Sequence, residues 1–144
     1  MIDNLKADTP RQHLSEQSLV SIVDDDQSFG SSLRRLLRSL DYAVAVFPSG
    51  AQFLASPQLA DTACLVADIH MPDMTGVELY EHLVERGQSI PTILVTAYPD
   101  DRVKERMLNR GVECYLRKPL EEAALIDCLR SAVARGRNDR TAPS

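Results

Sequence analysis

The sequence predicts an α/β domain in which a parallel sheet is covered by helices on both faces. Short β-branched apolar runs alternate along the chain with longer segments of helical periodicity. The runs are apolar almost throughout, as expected of strands buried on both sides. Acids, a threonine and a Lys-Pro pair then stand where those runs end, which is the edge of such a sheet that receives ligands. At 144 residues the chain suits one compact domain with short tails.

Leu19-Val20-Ser21-Ile22-Val23 is the first strand and stops at three acids. Phe29, Leu33, Leu36, Leu37 and Leu40 follow at helical spacing and form one face of the first helix. A second strand spans 42–47, and Ser49-Gly50-Ala51-Gln52 has the form of a capping box opening a short helix through Leu54. The third strand, 63–67, ends at Asp68. Thr75-Gly76-Val77-Glu78 is another capping box, with Val77, Tyr80, Leu83 and Val84 on one helix face and Gly87 as the C′ residue. Thr92-Ile93-Leu94-Val95-Thr96 is the fourth strand, and 112–116 the fifth. Between them the helix over 101–109, closed by Gly111, has only Val103, Met107 and Leu108 to bury and is expected to be loosely held. Leu125, Cys128, Leu129, Ala132 and Val133 stripe the last helix.

Composition excludes several classes. No run approaches the roughly 18 apolar residues of a membrane span, and the polar N-terminus has no secretory apolar segment. Cys64, Cys114 and Cys128 are odd in number and lack C-x-x-C spacing, which argues against a disulfide framework or zinc site and for a reducing cytoplasm. Cys114 and Cys128 read as small core residues. Residues 18–130 hold 11 bases and 17 acids, a poor match for a phosphate backbone, so direct nucleic-acid binding is not expected. His13, His70 and His82 are too far apart to suggest a metal site. The domain is drawn at 18–134, with 1–17 a flexible N-terminal extension and 135–144 a polar tail or the start of a linker.

The residues at the strand ends are Asp24-Asp25-Asp26, Asp68, Thr96 and Lys118-Pro119. Singly, each has a plain structural explanation. Acids favour the first turn of a helix, Asp68 fits a turn, Lys-Pro is common in loops, and one threonine says little. Together they describe a site. A sheet that sets strands one and three side by side gathers Asp24, Asp25 and Asp68, whose mutual repulsion calls for a cation. Oxygen donors without a nearby Cys or His side chain favour a hard ion that keeps its waters, namely Mg²⁺.

These stretches resemble the receiver domain of bacterial two-component response regulators. The likeness covers about 18–134 and rests on Val20-Ser21-Ile22-Val23-Asp24-Asp25-Asp26, Ala67-Asp68-Ile69-His70-Met71-Pro72-Asp73-Met74-Thr75-Gly76, Val95-Thr96-Ala97 and Leu116-Arg117-Lys118-Pro119. The wording around Asp68 and Thr96 is most similar to FixJ-type, CheY-like receivers. The resemblance implies a flavodoxin-like (βα)5 fold of strand order 2-1-3-4-5. It implies Asp68 as phosphoacceptor, and Asp25, Asp68 and the His70 backbone carbonyl as Mg²⁺ ligands, with Asp24 acting through water. It further implies Lys118 and Thr96 as catalytic groups, Thr96, Ala97 and Tyr115 as switch residues, and a cis Lys118–Pro119 peptide. The protein would not be an enzyme in the ordinary sense, since it catalyses only its own phosphorylation and slow dephosphorylation. Its phosphoryl donor would be a histidine kinase or histidine phosphotransfer protein, docking around the first helix.

Output would pass through the fourth helix, fifth strand and fifth helix, to a partner or a missing output domain, with a homodimer possible on phosphorylation. Asp41 stands where many receivers have glycine, and tolerates the left-handed turn better than most residues. His70 and Tyr98 flank the phosphoacceptor, and a bulky Tyr98 is expected to shield an acyl phosphate from water. Other readings fit less well. Three aspartates would repel a flavin phosphate, position 70 lacks the second acid of a haloacid-dehalogenase-type phosphatase, and no Walker A or G-x-G-x-x-G motif is present. A receiver that binds its partner without phosphorylation remains the competing reading, and a stand-alone receiver and a transcription-factor fragment are both compatible with the chain.

Overall fold

The computed structural model describes residues 17–141. The N-terminal extension, apart from residue 17, lies outside the described residues, as do His13 and 142–144. Among the described residues, five strands alternate with five helices: β1 Leu19–Val23, α1 Gln27–Ser39, β2 Ala43–Phe47, α2 Gly50–Ala55, β3 Thr62–Asp68, α3 Gly76–Glu85, β4 Thr92–Thr96, α4 Asp101–Asn109, β5 Cys114–Arg117 and α5 Glu122–Thr141. The sheet is parallel, in the order β2-β1-β3-β4-β5. It is the flavodoxin-like order expected from the sequence, with strands one and three as neighbours.

Period-two alternation sorts each buried strand between two apolar layers. Cys64 and Val66 of β3 face α1 and α5, packing with Leu33, Leu37, Leu125 and Leu129. Leu65 and Ala67 point the other way, to Phe53 of α2, Leu79 and Leu83 of α3 and Met107 of α4. Because every residue of β3 and β4 is buried, their termini are fixed from both faces and form a rigid base for the loops that leave them.

The local signals act as the residue types suggest. Thr75 and Glu78 form a complete capping box, and Ser49 accepts from the Gln52 amide. Asp41 turns through φ 72° between α1 and β2. Helix α4 has only Met107 fully buried, with Val103 partly covered and Leu108 39% exposed. Its C-terminal end is tied by the Tyr80 hydroxyl, which donates to the Arg110 carbonyl at 2.9 Å. The structure adds a 3-10 turn over Pro57–Asp61, capped by Ser56, and α5 continues to Thr141, past the boundary at 134. No helix among the described residues is long and apolar enough to cross a membrane.

The cysteine reading needs correction. Cys114 and Cys128 are joined by a disulfide between β5 and α5, with their Cα atoms 6.3 Å apart. The number and spacing of the cysteines along the chain carry no sign of this bond. The pairing arises because β5 and α5 pack against each other, bringing together residues 14 apart in the chain. Both remain partly buried against the layer shared with α1, and Cys64 is a free, buried thiol.

Candidate functional site

The register of the sheet assembles the site. Val23 pairs with Ala67, so β1 and β3 end level and release Asp24 and Asp68 side by side. Asp68 lies opposite Val95 and Thr96 opposite Arg117, which brings the ends of β4 and β5 to the same edge. Carboxylate oxygens of Asp24, Asp25 and Asp68 lie within 4.8 Å of one another. Asp24 and Asp68 are buried and Asp25 is exposed, so the crevice has an inner wall and a solvent-facing rim.

Two groups hold Asp24. Its Oδ1 accepts from the Asp26 amide at 2.8 Å and its Oδ2 from Lys118 Nζ at 2.8 Å. Asp26 itself caps α1, accepting from the Phe29 amide. Lys118 Nζ also stands 3.7 Å from Asp68 Oδ1 and 4.0 Å from the centroid of the Phe29 ring. The ammonium is therefore held between two carboxylates and an aromatic face, an arrangement that favours one position for its charge. The Lys118 amide donates to the Thr96 carbonyl at 2.8 Å, and the Lys118–Pro119 peptide is cis.

Burial raises the Asp68 carboxyl above the usual carboxylate range, and the Asp24 charge adds to the effect. Lys118 and the His70 backbone amide oppose it, while Asp25 contributes a smaller upward push. Three carboxylates facing one ammonium leave the crevice short of positive charge. The donors are all oxygens and one wall opens to solvent, which fits a hard divalent cation that retains waters.

Thr96 is fully buried and its Oγ1 accepts from the Tyr98 amide at 2.9 Å. Ala97, the next residue, is exposed. The rings of His70 and Tyr98 meet edge to face, with centroids 5.4 Å apart, joining the loops after β3 and β4. Tyr115 is buried, and its hydroxyl accepts from the Asp100 amide at 3.0 Å at the start of α4. Gly76 closes the floor: its amide donates to the Ile69 carbonyl, and a Cβ at this position would lie 2.5 Å from the Asp68 carbonyl oxygen.

The structure thus gathers Asp24, Asp25, Asp68 and Lys118 into one cluster, with Thr96 on the adjacent strand end, and places Tyr115 on β5, bonded to the Asp100 amide. Sequence reasoning missed Phe29, which it assigned to the core face of α1. It also gave no role to Gly76, read as part of a capping box and as the end of the stretch after Asp68 that carries the resemblance. The signal for Phe29 was its place in the first turn after the acidic triplet.

Residues 20–130 match the family model described as the response regulator receiver domain. The response regulator protein TmoT of Ectopseudomonas mendocina is 32% identical over 124 residues, covering 85% of this chain and 56% of that protein. The transcriptional regulatory protein FixJ of Azorhizobium caulinodans is 33% identical over 122 residues, covering 85% and 58%. Among solved structures, the response regulator StyR superposes with a TM-score of 0.81 at 36% identity, over 86% of this chain and 63% of the other. FixJ-N superposes at 0.74 with 32% identity, over 82% and 94%. The chain spans little more than half the length of the curated relatives it matches.

Proposed function

Because this chain belongs to the response regulator receiver domains of two-component systems, we propose that it accepts a phosphoryl group on Asp68 from a histidine kinase or histidine phosphotransfer protein, in a reaction that requires Mg²⁺. The observation that carries this reading is the convergence of Asp24, Asp25 and Asp68 beside Lys118. Asp68 is the nucleophile. One of its oxygens attacks the donor phosphorus in line, the P–N bond of a phosphohistidine breaks, and the leaving nitrogen keeps the bonding pair.

Asp25, Asp68 and the backbone carbonyl of His70 would hold Mg²⁺, with Asp24 acting through water. When bound, Mg²⁺ neutralises negative charge on the carboxylates and the incoming phosphoryl oxygens. Lys118 is close enough to Asp68 to pair with a phosphoryl oxygen once one is attached there. It also lowers the cost of keeping the Asp68 carboxylate ionised, against burial and the Asp24 charge.

The switch follows from the added charge and acceptor oxygens. The Thr96 hydroxyl accepts the Tyr98 amide and retains a proton to donate to a phosphoryl oxygen. That bond would draw the loop after β4 toward Asp68, and Ala97 leaves room for the group. Tyr115 bonds the first residue of that loop's helix cap, Asp100, so movement there is felt in α4 and β5. The face formed by α4, β5 and α5 is the proposed output surface, serving a partner, an output domain or a second copy.

Intact-mass measurement after incubation with acetyl phosphate tests the reading. Wild type should gain one phosphoryl group with Mg²⁺ and none without it, and Asp68→Asn should gain none. No gain in folded wild type with Mg²⁺ would favour a receiver that works without phosphorylation.

A further inference from the structure

We propose that Cys114 and Cys128 form a reversible dithiol–disulfide site, oxidised by a low-molecular-weight disulfide, whose closure fastens the edge strand β5 to α5. Three observations support a site rather than two incidental core residues. The two sulfurs are bonded across elements, not within one. Both residues are only partly buried, so a small thiol reagent has a path to them. Cys64 lies in the same apolar layer but is wholly buried, and burial drives its thiol far above the usual range. Thiolates are the reactive species, so exchange is directed to this partly buried pair and away from Cys64.

The position of the pair gives it mechanical leverage. Cys114 is the first residue of β5, at the edge of the sheet and in register with Ile93. A second tie lies beside it: Arg135 of α5 donates to Oε1 of Glu113, the residue just before β5, at 2.7 Å. Arg135 lies two turns beyond Cys128 and therefore on the same face of α5. With the disulfide open, this ion pair, exposed only at its Arg135 end, and apolar packing hold α5 against β5 and the residue before it. With it closed, a covalent bond does so as well.

The chemistry balances with one two-electron oxidant. One thiolate attacks the small disulfide, forming a mixed disulfide and expelling the first small thiolate. The second cysteine thiolate attacks the protein-bound sulfur, closes the Cys114–Cys128 bond and expels the second small thiolate. Each leaving thiolate takes up a proton, so two protein thiols are oxidised and one small disulfide becomes two small thiols. On the function proposed above, the fastened elements belong to the output face; the redox site itself does not depend on that reading.

The test uses the full chain equilibrated in mixtures of oxidised and reduced glutathione, quenched with acid, unfolded and labelled with N-ethylmaleimide. Of the three cysteines, all should label in reducing mixtures and only Cys64 in oxidising ones, with the change reversing on added reduced glutathione. Full labelling at every ratio would overturn the proposal, as would stable glutathione adducts without ring closure. Closure that survives excess dithiothreitol in the folded protein would make the bond permanent and overturn it equally. Cys114→Ser and Cys128→Ser, each checked for native circular dichroism, should both abolish closure, whereas Cys64→Ser should leave the transition in place. Hydrogen exchange then reads the fastening: amides of α5 around Cys128 should exchange about tenfold or more slowly in the oxidised form, and equal exchange would overturn that part. Acetyl phosphate loading of the same samples reports on the phosphoacceptor separately, so failure to load leaves the label count decisive.

Discussion

Replacing Gly76 with alanine isolates how tightly the floor of the site is built. The added methyl carbon would sit 2.5 Å from the Asp68 carbonyl oxygen, 3.0 Å from its carbonyl carbon and 3.2 Å from the Ile69 Cα. All three are backbone atoms of the strand end, so no side chain can swing aside. Ordinary contact begins at 3.4 Å, so the loop must open by about 0.9 Å at its closest point. The Gly76 amide, now 3.1 Å from the Ile69 carbonyl, would lose that bond or drag the strand end with it. Forced overpacking of this kind costs about 1–3 kcal/mol, offset by up to about 1 kcal/mol of improved helix propensity. The net loss should be about 1–2 kcal/mol by urea unfolding, with an unchanged slope. Displacing the nucleophile by this much should slow Mg²⁺-dependent phosphorylation by about tenfold or more. A variant as stable as wild type that phosphorylates at the wild-type rate would refute the close-approach argument.

Four further outcomes follow from the same geometry. Asp68 has its carboxyl raised in the folded chain, so its ionisation opposes folding: the favourable contribution is complete below the usual carboxylate range and is lost as pH rises through the raised value. Asp68→Asn should therefore be more stable than wild type in metal-free buffer at neutral pH, with the gain vanishing in acid; equal pH profiles would contradict this. Mg²⁺ at about ten times its Kd should stabilise wild type by about 1.4 kcal/mol and Asp68→Asn much less at the same concentration, as read by thermal unfolding. Phe29→Leu removes the ring over Lys118, worth about 1 kcal/mol, and should slow phosphorylation by about fivefold; a wild-type rate would show that the ring does not position the ammonium. Tyr98→Ala removes the ring packed against His70 and should speed hydrolysis of the acyl phosphate several-fold, whereas unchanged or slower phosphate release would count against shielding.

The parts of the fold most legible in the sequence are those buried on both faces. Leu19–Val23 and Thr92–Thr96 have the bounds their short, mostly β-branched and apolar runs indicate, because nearly every residue within them is buried. The fifth strand starts later than the apolar pattern suggests. Val112 is buried but its amide closes the end of α4 by donating to the Met107 carbonyl, leaving Cys114 to begin the ladder. The turn over Pro57–Asp61 was missed although Ser56-Pro57 is a start signal, since it interrupts a connection too short to look periodic.

Within the site, the clustering of Asp24, Asp25 and Asp68 was readable from strand order, because parallel strands ending level must present their next residues together. Which acid is buried was not readable: Asp24 faces inward to Lys118 and Asp25 outward, a distinction set by the path of the chain into α1. The Phe29–Lys118 contact and the Cys114–Cys128 bond were hidden for a related reason. Each joins side chains whose spacing along the chain carries no signal until two elements are packed together.

The central claim is that Asp68 forms the acyl phosphate. Sodium borohydride reduces an aspartyl phosphate to homoserine, so the chain should be loaded with acetyl phosphate and Mg²⁺, reduced, digested and sequenced by tandem mass spectrometry. Homoserine at position 68 is the predicted result. Homoserine at position 24 or 25, or a borohydride-resistant phosphoryl group on another residue, would contradict it.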